Sequence, residues 1–578
     1  MQRIILSNSY YKKMSGMRKL LLGLFILLSF NACKKGFLDR ASTTQQQDVD
    51  IFTNFAMTDQ VVNNLYSHLR GNYTYLGGYS MSSGTDEAKD ASNWMPSMSF
   101  NNGSWSGNNN PIGNTWRDNY VAIRQANAIL EGVAKYKTPD DANNKGALQN
   151  RIGEVYFLRA YYLAELLRQF GGAIIITKTI DQSDVKALNQ PRSTYDACVA
   201  QIIADCNEAI KRLPVLYPTT QTGRVTQGTC LALKARMLLY SASPLWAIAG
   251  KTSFQGDISS GTAATDPEKW RAAAAAAKAV IDLKSAQGGP AYQLENTLSD
   301  RLNMFTNNTL LSKEVIWVRM KETNESYDRY IFPYGSNGWS GCSPTQNLVD
   351  DYEMANGLSI SNPASGYNPA KPYDNRDPRF YTDITYNGAS WKGRKIETFP
   401  GGRDEQSTQT DHSRTGYSCR KLADENITVN QGPGRDIHGI IFRLAEFYLS
   451  YAEALNEYDP GNADIATYIN LIRTRAGQPS LPAGLSQAAM RQRIHNERRI
   501  ELSFENQRFW DVRRWKIAEN TEKEIWGMRL IKDATTPEGY HYEKFKVEDR
   551  LWRNAMYLIP ITTDETLRNT ELKQNEGW

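Results

Sequence analysis

The chain has 578 residues, 40% of them apolar and 22% charged, and a mean hydropathy of −0.55, which predicts a water-soluble body with a large core. Lys and Arg number 67 against 62 Asp and Glu, but residues 1–32 hold five of the basic side chains and no acidic one. The remaining chain is therefore neutral overall, which excludes a general electrostatic attraction to nucleic acid.

The N-terminus has the order of a bacterial lipoprotein signal. A basic stretch ending in Arg18 and Lys19 precedes an apolar run at residues 20–30, and Cys33 follows. The run is too short to span a bilayer, which takes roughly 20 residues, so residues 1–32 are predicted to be a cleaved signal peptide. Cleavage would leave Cys33 at the mature N-terminus for lipid attachment, such as palmitate. Met17 is an alternative start, because it opens a normal n-region by itself.

Helical periodicity dominates the first half of the mature chain. Residues 33–50 are polar and predict a tether, and residues 51–285 are assigned to an N-terminal helical-repeat half. A loop-rich zone, residues 71–114, follows the first helix. Six alanines at residues 272–277 predict close helix packing. The predicted helices cover residues 52–70, 116–134, 152–170, 194–213, 226–240 and 266–283.

The rest of the chain divides into an irregular region and a second helical region. Residues 286–440 show little helical periodicity and contain short strand-like runs such as residues 315–319. In residues 441–578, helices are predicted at 442–457, at 463–476 and from the N-cap Ser486 past Phe504. Small and aromatic residues alternate as in tetratricopeptide helices, without a 34-residue period. The predicted fold is mostly α, with irregular tetratricopeptide-like repeats and a loop-rich, minor-β region.

The cysteines and histidines predict neither a disulfide framework nor a metal site. Five cysteines remain after Cys33, none in a CxxC pair, and they are expected to be small buried residues. The five histidines do not cluster, and no glycine-rich phosphate-binding motif is present. No metal and no cofactor is expected.

A charged block at residues 497–514 has two interpretations. Glu497, Glu501 and Glu505 are spaced to share one helical face, and paired carboxylates are typical of glycoside hydrolases. Five arginines surround them, however, and arginine lowers a carboxyl pKa, which is the wrong direction for a general acid. The favoured interpretation is a structural salt-bridge network, and no catalytic residue is assigned.

Motifs along nearly the whole mature chain resemble the SusD/RagB family of outer-membrane nutrient-binding lipoproteins of Bacteroidetes. Each motif is weak by itself, but their order is specific. They are CKKGFLD at residues 33–39, TDE at 85–87, WRDNY at 116–120 with AN at 126–127, EVYFLRA at 154–160, DDYEMANG at 350–357, DNRDPR at 374–379, residues 443–457, residues 469–476, ERRIELSFENQRFWD at 497–511, and the final segment 569–578.

The resemblance implies a function without catalysis. Family members capture glycans or peptides outside the cell and sit on a SusC-like TonB-dependent transporter. This chain is accordingly expected to be a lipid-anchored, surface-exposed outer-membrane protein that binds oligosaccharides and delivers them to such a transporter. The alternatives are a surface glycoside hydrolase and a peptide-binding helical scaffold similar to RagB.

Ligand residues are expected on two loop stretches where aromatic rings lie beside small polar residues. Sugar rings present apolar C–H faces that stack on Trp and Tyr, while their hydroxyls need polar partners. The stretches are residues 86–114 and 327–339. The candidate ligand-binding residues are Asp86, Trp94, Trp105, Asn108, Tyr330, Tyr334 and Trp339.

Overall fold

A computed structural model describes residues 47–246, 266–307, 309–323, 325–429 and 435–578. The predicted signal peptide and the lipid-attachment residue Cys33 lie outside these residues. The described part is mostly helical, with short strands, as the sequence predicts. None of its helices is both long and apolar enough to cross a membrane.

The longest of the described helices lie in the first half of the chain. The helices predicted at residues 116–134 and 152–170 are confirmed as α4 and α5. The helices are α1 (Asp48–Phe52), α2 (Phe55–Leu65), α3 (Ser97–Asn102), α4 (Thr115–Tyr136), α5 (Ala147–Phe170), α6 (Val185–Leu188), α7 (Tyr195–Ile210), α8 (Gln227–Ala242) and α9 (Pro267–Ile281).

The later helices are shorter until the C-terminal region. They are α10 (Leu298–Thr306), α11 (Glu325–Ile331), α12 (Gln346–Asp351), α13 (Pro378–Asp383), α14 (Leu444–Tyr458), α15 (Ala463–Arg475), α16 (Gln487–Glu501), α17 (Arg508–Arg514), α18 (Ala518–Thr521) and α19 (Thr563–Arg568). Single 3₁₀ turns include Met81–Gly84, Tyr334–Ser336 and Asn554–Tyr557.

The strands form separate antiparallel pairs: β1 with β3, β2 with β8, β4 with β7, β5 with β6, and β9 with β10. The hairpin of β9 and β10 lies in the region predicted to be helical. The sequence analysis did not predict this hairpin. Its first strand buries Ile525 and Met528. The strands are β1 (Ala88–Lys89), β2 (Val315–Thr323), β3 (Ser343–Pro344), β4 (Ile384–Thr385), β5 (Ser390–Trp391), β6 (Arg394–Lys395), β7 (Ser418–Cys419), β8 (Ile437–Arg443), β9 (Glu524–Lys532) and β10 (Tyr540–Asp549).

The long helices pack in sequence, each against its neighbour. α4 packs on α5, α5 on α7, α7 on α8 and α8 on α9. α9 also packs on α14, so it joins the two helical regions of the chain. Its buried face includes Ala273, Ala274 and Ala277, whose small side chains permit the close approach that the alanine run predicts. The helices thus enclose one apolar core, and the irregular region around Phe332, Phe380 and Trp391 encloses a second.

Side-chain caps and glycines set the helix ends. The predicted N-cap Ser486 accepts a hydrogen bond from the Ala489 amide at 3.3 Å, and Thr194 accepts one from the Ala197 amide at 3.1 Å. Gly171 stops α5 with a φ of +83°, a conformation that residues with a Cβ rarely adopt. The predicted N-cap at Ser486 and the predicted glycine stop after α5 are therefore confirmed.

The predicted helix through Phe504 is wrong at its C-terminal end. α16 ends at Glu501, and Phe504 has a φ of +62°, which cannot continue a right-handed helix. The turn directs Glu505 toward Arg443 and Lys421, with closest N–O distances of 2.6 Å to each. Phe504 itself is fully buried. Burial of the Phe504 ring and ion pairing of the Glu505 carboxylate therefore override the helical periodicity.

A buried ion-pair network holds α16 to the irregular region. Glu501 has no exposed surface, and its carboxylate faces Arg475 at 2.6 Å, Arg443 at 2.8 Å, Arg301 at 3.2 Å and Arg379 at 3.3 Å. Burial raises the pKa of Glu501, but the charges of these arginines outweigh it and leave that pKa well below its usual value. The structural interpretation of the charged block is confirmed, and the network lies in the core.

Glu87 is a buried carboxyl group with the opposite behaviour. It is 1% exposed, its Oε2 atom has no hydrogen-bond partner among the described residues, and burial raises its pKa to about 7. The folded state therefore binds more protons than the unfolded state, whose pKa is 4.5. This group's stabilisation is complete below pH 4.5 and is lost as the pH rises through about 7.

We expect Glu87→Gln to remove this pH dependence. The variant should become progressively more stable than the parent protein between pH 4.5 and 7, because it has no proton to lose. Urea unfolding at half-unit pH steps measures the difference in the free energy of unfolding. Glu543→Gln, at an exposed position, is the control. Parallel stability curves for parent and Glu87→Gln would contradict the assignment.

Candidate functional site

The two loop stretches singled out in the sequence come together. β1 and β3 pair with Ala88 opposite Pro344, which joins the first stretch to the chain just beyond the second. Asp90, directly after β1, is fully buried and accepts hydrogen bonds from the Tyr330 hydroxyl at 2.6 Å and the Cys342 amide at 3.1 Å. One buried carboxylate therefore ties both stretches into a single loop cluster.

Trp94 is the most exposed tryptophan of this cluster, with 66% of its surface accessible. Its ring meets Tyr79 edge to face, with centroids 5.9 Å apart, and Tyr79 meets Tyr330 in the same way at 5.3 Å. The half-buried Tyr79, itself packed on the buried Tyr330, supports Trp94 while most of the Trp94 surface faces solvent. A large apolar ring kept exposed on a fixed support is typical of a binding platform.

Tyr334 is a second candidate platform. It is 44% exposed and stacks on His412, with ring centroids 3.8 Å apart and planes 29° from parallel. The His412 Nδ1 atom lies 2.9 Å from the Glu405 carbonyl oxygen, which fixes the ring and assigns the donor proton to that nitrogen. The stack covers one face of Tyr334 and leaves the other available for a ligand.

Two arginine side chains contact the loops that carry these rings. The Arg414 Nε group donates to the Ala91 carbonyl at 2.6 Å, so the segment after His412 touches the loop that carries Trp94. The half-buried Trp339 has the Arg329 guanidinium 4.8 Å from its ring centroid. We define the aromatic loop site as Tyr79, Trp94, Tyr334, Trp339, His412 and Arg414.

Three of the sequence-predicted ligand residues are buried, and we no longer assign them to ligand binding. Asp86 is 2% exposed and pairs with Arg508 at 2.8 Å; burial raises its pKa, but Arg499 and Arg508 lower it to about 2. Trp105 is 1% exposed, against Trp578 with centroids 4.6 Å apart. Tyr330 is also 1% exposed, and its hydroxyl donates a hydrogen bond to Asp90. Each supports the fold beneath the site.

Asn108 is exposed, and its turn contacts a different part of the chain from Trp94. Its turn is held by Ser106, and the adjacent Gly107 packs against Ile561 and Thr563 of the C-terminal segment. No contact among the described residues joins Asn108 to Trp94. Sequence reasoning missed Tyr79, His412 and Arg414, which come from other segments. The signal there was one tyrosine, one histidine and one arginine in turn-rich stretches.

Gly338 has a packing role in the site. A Cβ atom there would overlap the Phe332 backbone carbonyl, which accepts the Ser340 amide at 3.0 Å. We expect Gly338→Ala to lower the free energy of unfolding by about 1–3 kcal/mol through overpacking, and to weaken ligand binding by moving Trp339. Thermal unfolding and a binding assay measure the two effects. Gly289→Ala is the matched control, because its nearest neighbour is Ser285 Oγ at 4.0 Å. An unchanged Gly338→Ala protein would contradict the packing role.

Two family models match the chain. A SusD family model matches residues 313–578, and a model described as starch-binding associating with outer membrane matches residues 36–239. SusD-like protein P2 of Formosa agariphila is 25% identical over 487 residues, which are 82% of each chain.

Solved structures share the fold. A SusD-like protein from Bacteroides fragilis superposes with a TM-score of 0.76 at 26% identity, covering 94% of this chain and 100% of that one. A SusD-like carbohydrate binding protein from the same species gives a TM-score of 0.73 at 21% identity, covering 90% and 100%. With family models matching most of its length and relatives aligned along it, the chain belongs to the SusD/RagB family.

Proposed function

We propose that this protein binds oligosaccharides at the aromatic loop site without cleaving them. The observation that carries the proposal is Trp94, 66% exposed and supported by Tyr79. Its ring offers an apolar face to the C–H groups of a sugar, and Arg414 and Arg329 offer donors to hydroxyl groups. A similar fold occurs in a protein described as a SusD-like carbohydrate binding protein, which supports this ligand class.

The engagement of two carboxylates, Asp90 and Glu501, supports the proposal of binding without cleavage. Glycoside hydrolysis needs two carboxyl groups flanking the scissile bond. Within the described residues, Asp90 of the loop cluster is buried and engaged by Tyr330 and Cys342, and Glu501 of the charged block is surrounded by arginines. Neither can reach a substrate as a general acid, so capture and release are the chemistry that we expect.

Delivery to a SusC-like transporter is the second part of the proposal and rests on the family. A groove of about 460 Å³ between α4 and the C-terminal segment is our candidate docking surface. Val121 and Leu188 line it and are 49% and 45% exposed, and exposed apolar patches commonly mark interaction sites. Anchoring through acylated Cys33 would hold the protein at the outer membrane beside the transporter. Co-purification with a barrel partner and mass spectrometry of the N-terminal lipopeptide test these two points.

Affinity electrophoresis over a glycan panel tests the binding function. We expect retention by at least one neutral oligosaccharide or polysaccharide class, and no new reducing ends after prolonged incubation. Product formation by the pure protein would overturn the proposal in favour of a hydrolase. Retention by immobilised peptides and by no glycan would change the ligand class to peptide.

A further inference from the structure

A second cleft lies outside the aromatic loop site and shares no residue with it. It has a volume of about 570 Å³, within the range of small-molecule binding sites, and is formed by residues 370–388 together with the β9–β10 hairpin. Tyrosines and small polar side chains dominate its lining. The residues used below are Asp374, Tyr381, Tyr386, Asn387, Tyr540 and Tyr542.

The tyrosines of this cleft are backed by other rings. Phe380, fully buried, stacks behind Tyr386 with centroids 4.9 Å apart and planes 28° from parallel. Phe399 stacks behind Tyr540 at 5.1 Å and 13°. Each tyrosine therefore has one face covered and is held in a fixed orientation. Tyr386 also meets Tyr373, with centroids 4.5 Å apart and planes 46° from parallel. Both Tyr386 and Tyr540 line the cleft, where a sugar ring could stack.

Some polar groups in the cleft have no partner in the fold, while others are held by it. Among the described residues, the side chains of Asp374 and Glu538 form no ion pair and no hydrogen bond, and the hydroxyls of Tyr386 and Tyr540 have no hydrogen-bond partner. Burial raises the pKa of Tyr386 to about 12, so its hydroxyl stays protonated and able to donate. Asn387 accepts the Thr398 amide at 3.0 Å, which fixes its amide plane.

We propose that this tyrosine cleft (Asp374, Tyr381, Tyr386, Asn387, Tyr540 and Tyr542) is a second binding site for neutral oligosaccharides. Backed aromatic faces beside carboxylate and amide oxygens match the alternating C–H faces and hydroxyl groups of a pyranose chain. The two free carboxylates against the single Lys371 disfavour acidic or sulfated sugars. The inference rests on the proposed glycan-binding function and adds a second point of contact for one chain.

Strand geometry provides the test variants. Tyr540 and Tyr542 lie on the cleft face of β10, while His541 between them points to the other face and is exposed. We compare Tyr540→Ala/Tyr542→Ala, Asp374→Ala, the control His541→Ala and Trp94→Ala. Titration calorimetry with neutral gluco-, manno-, xylo- and galacto-oligosaccharides gives affinity and stoichiometry for each.

We expect two sites in the parent protein and in His541→Ala, and one site in the tyrosine pair variant. Trp94→Ala should keep one site at full affinity and bind at the other roughly thirtyfold more weakly. Asp374→Ala should weaken the second site at least tenfold, and it changes only an exposed side chain. The parent protein could instead show a single site that Trp94→Ala weakens and that both cleft variants leave intact. That result would overturn the second site alone. Absence of binding to every glycan would overturn both proposals. Binding of a lysine-rich peptide, and of no glycan, at a cleft sensitive to the tyrosine variant would overturn the ligand class.

Discussion

Replacing Glu501 with glutamine is expected to lower the free energy of unfolding by about 3–5 kcal/mol, the range found when one partner of a buried ion pair is removed. Glutamine preserves the shape but not the charge. Arg301, Arg443 and Arg475 would then lie in the core with too little negative charge around them. Because domains are stable by only about 5–15 kcal/mol, this is a large fraction of the total.

Urea unfolding followed by circular dichroism at pH 7 measures this loss. Glu543→Gln is the matched control, because Glu543 also pairs with an arginine, Arg529 at 2.8 Å, but both side chains are more than 40% exposed. An exposed pair contributes about 1 kcal/mol or less. Equal effects of the two substitutions would contradict a structural role for the buried network and would reopen the question of why Glu501 is there.

Replacing Trp94 with alanine is expected to weaken glycan binding roughly thirtyfold, which corresponds to about 2 kcal/mol, the loss typical of a central aromatic contact. Stability should change little, because the ring is 66% exposed and its main contact is the edge of Tyr79. At Trp94 the effect of a substitution on ligand affinity can therefore be measured without a large change in stability. At the buried Trp105 it cannot.

The control for Trp94→Ala is Leu567→Ala, another large exposed apolar side chain, 74% accessible and on α19. Calorimetric titration with the glycan identified from the panel, alongside thermal unfolding of both variants, gives affinity and stability together. Equal affinities for the parent and Trp94→Ala, with the control also unchanged, would exclude Trp94 as a platform.

Local sequence signals predicted the long helices and their caps, since these depend on periodicity within one segment. They also marked the two loop stretches that the fold brings together. They did not separate Trp94 from Trp105, because both lie among Gly, Asn and Ser. The difference arises from the far end of the chain, where Trp578 covers Trp105.

Long-range partners decide the other differences as well. Glu505 leaves the helical face because Lys421 of the irregular region and Arg443 at the end of β8 are brought to it. The tyrosine cleft joins residues 370–388 to a hairpin far along the chain, so no local pattern marks it. His412 and Arg414 join the aromatic loop site through contacts with Tyr334 and Ala91.

A crystal structure of the protein with the oligosaccharide that the panel identifies would test binding without cleavage most directly. We predict an uncut sugar chain with one ring stacked on Trp94, within hydrogen-bond reach of Arg414. A sugar bound only elsewhere, leaving Trp94 bare, or a chain broken beside a pair of carboxylates would contradict the account.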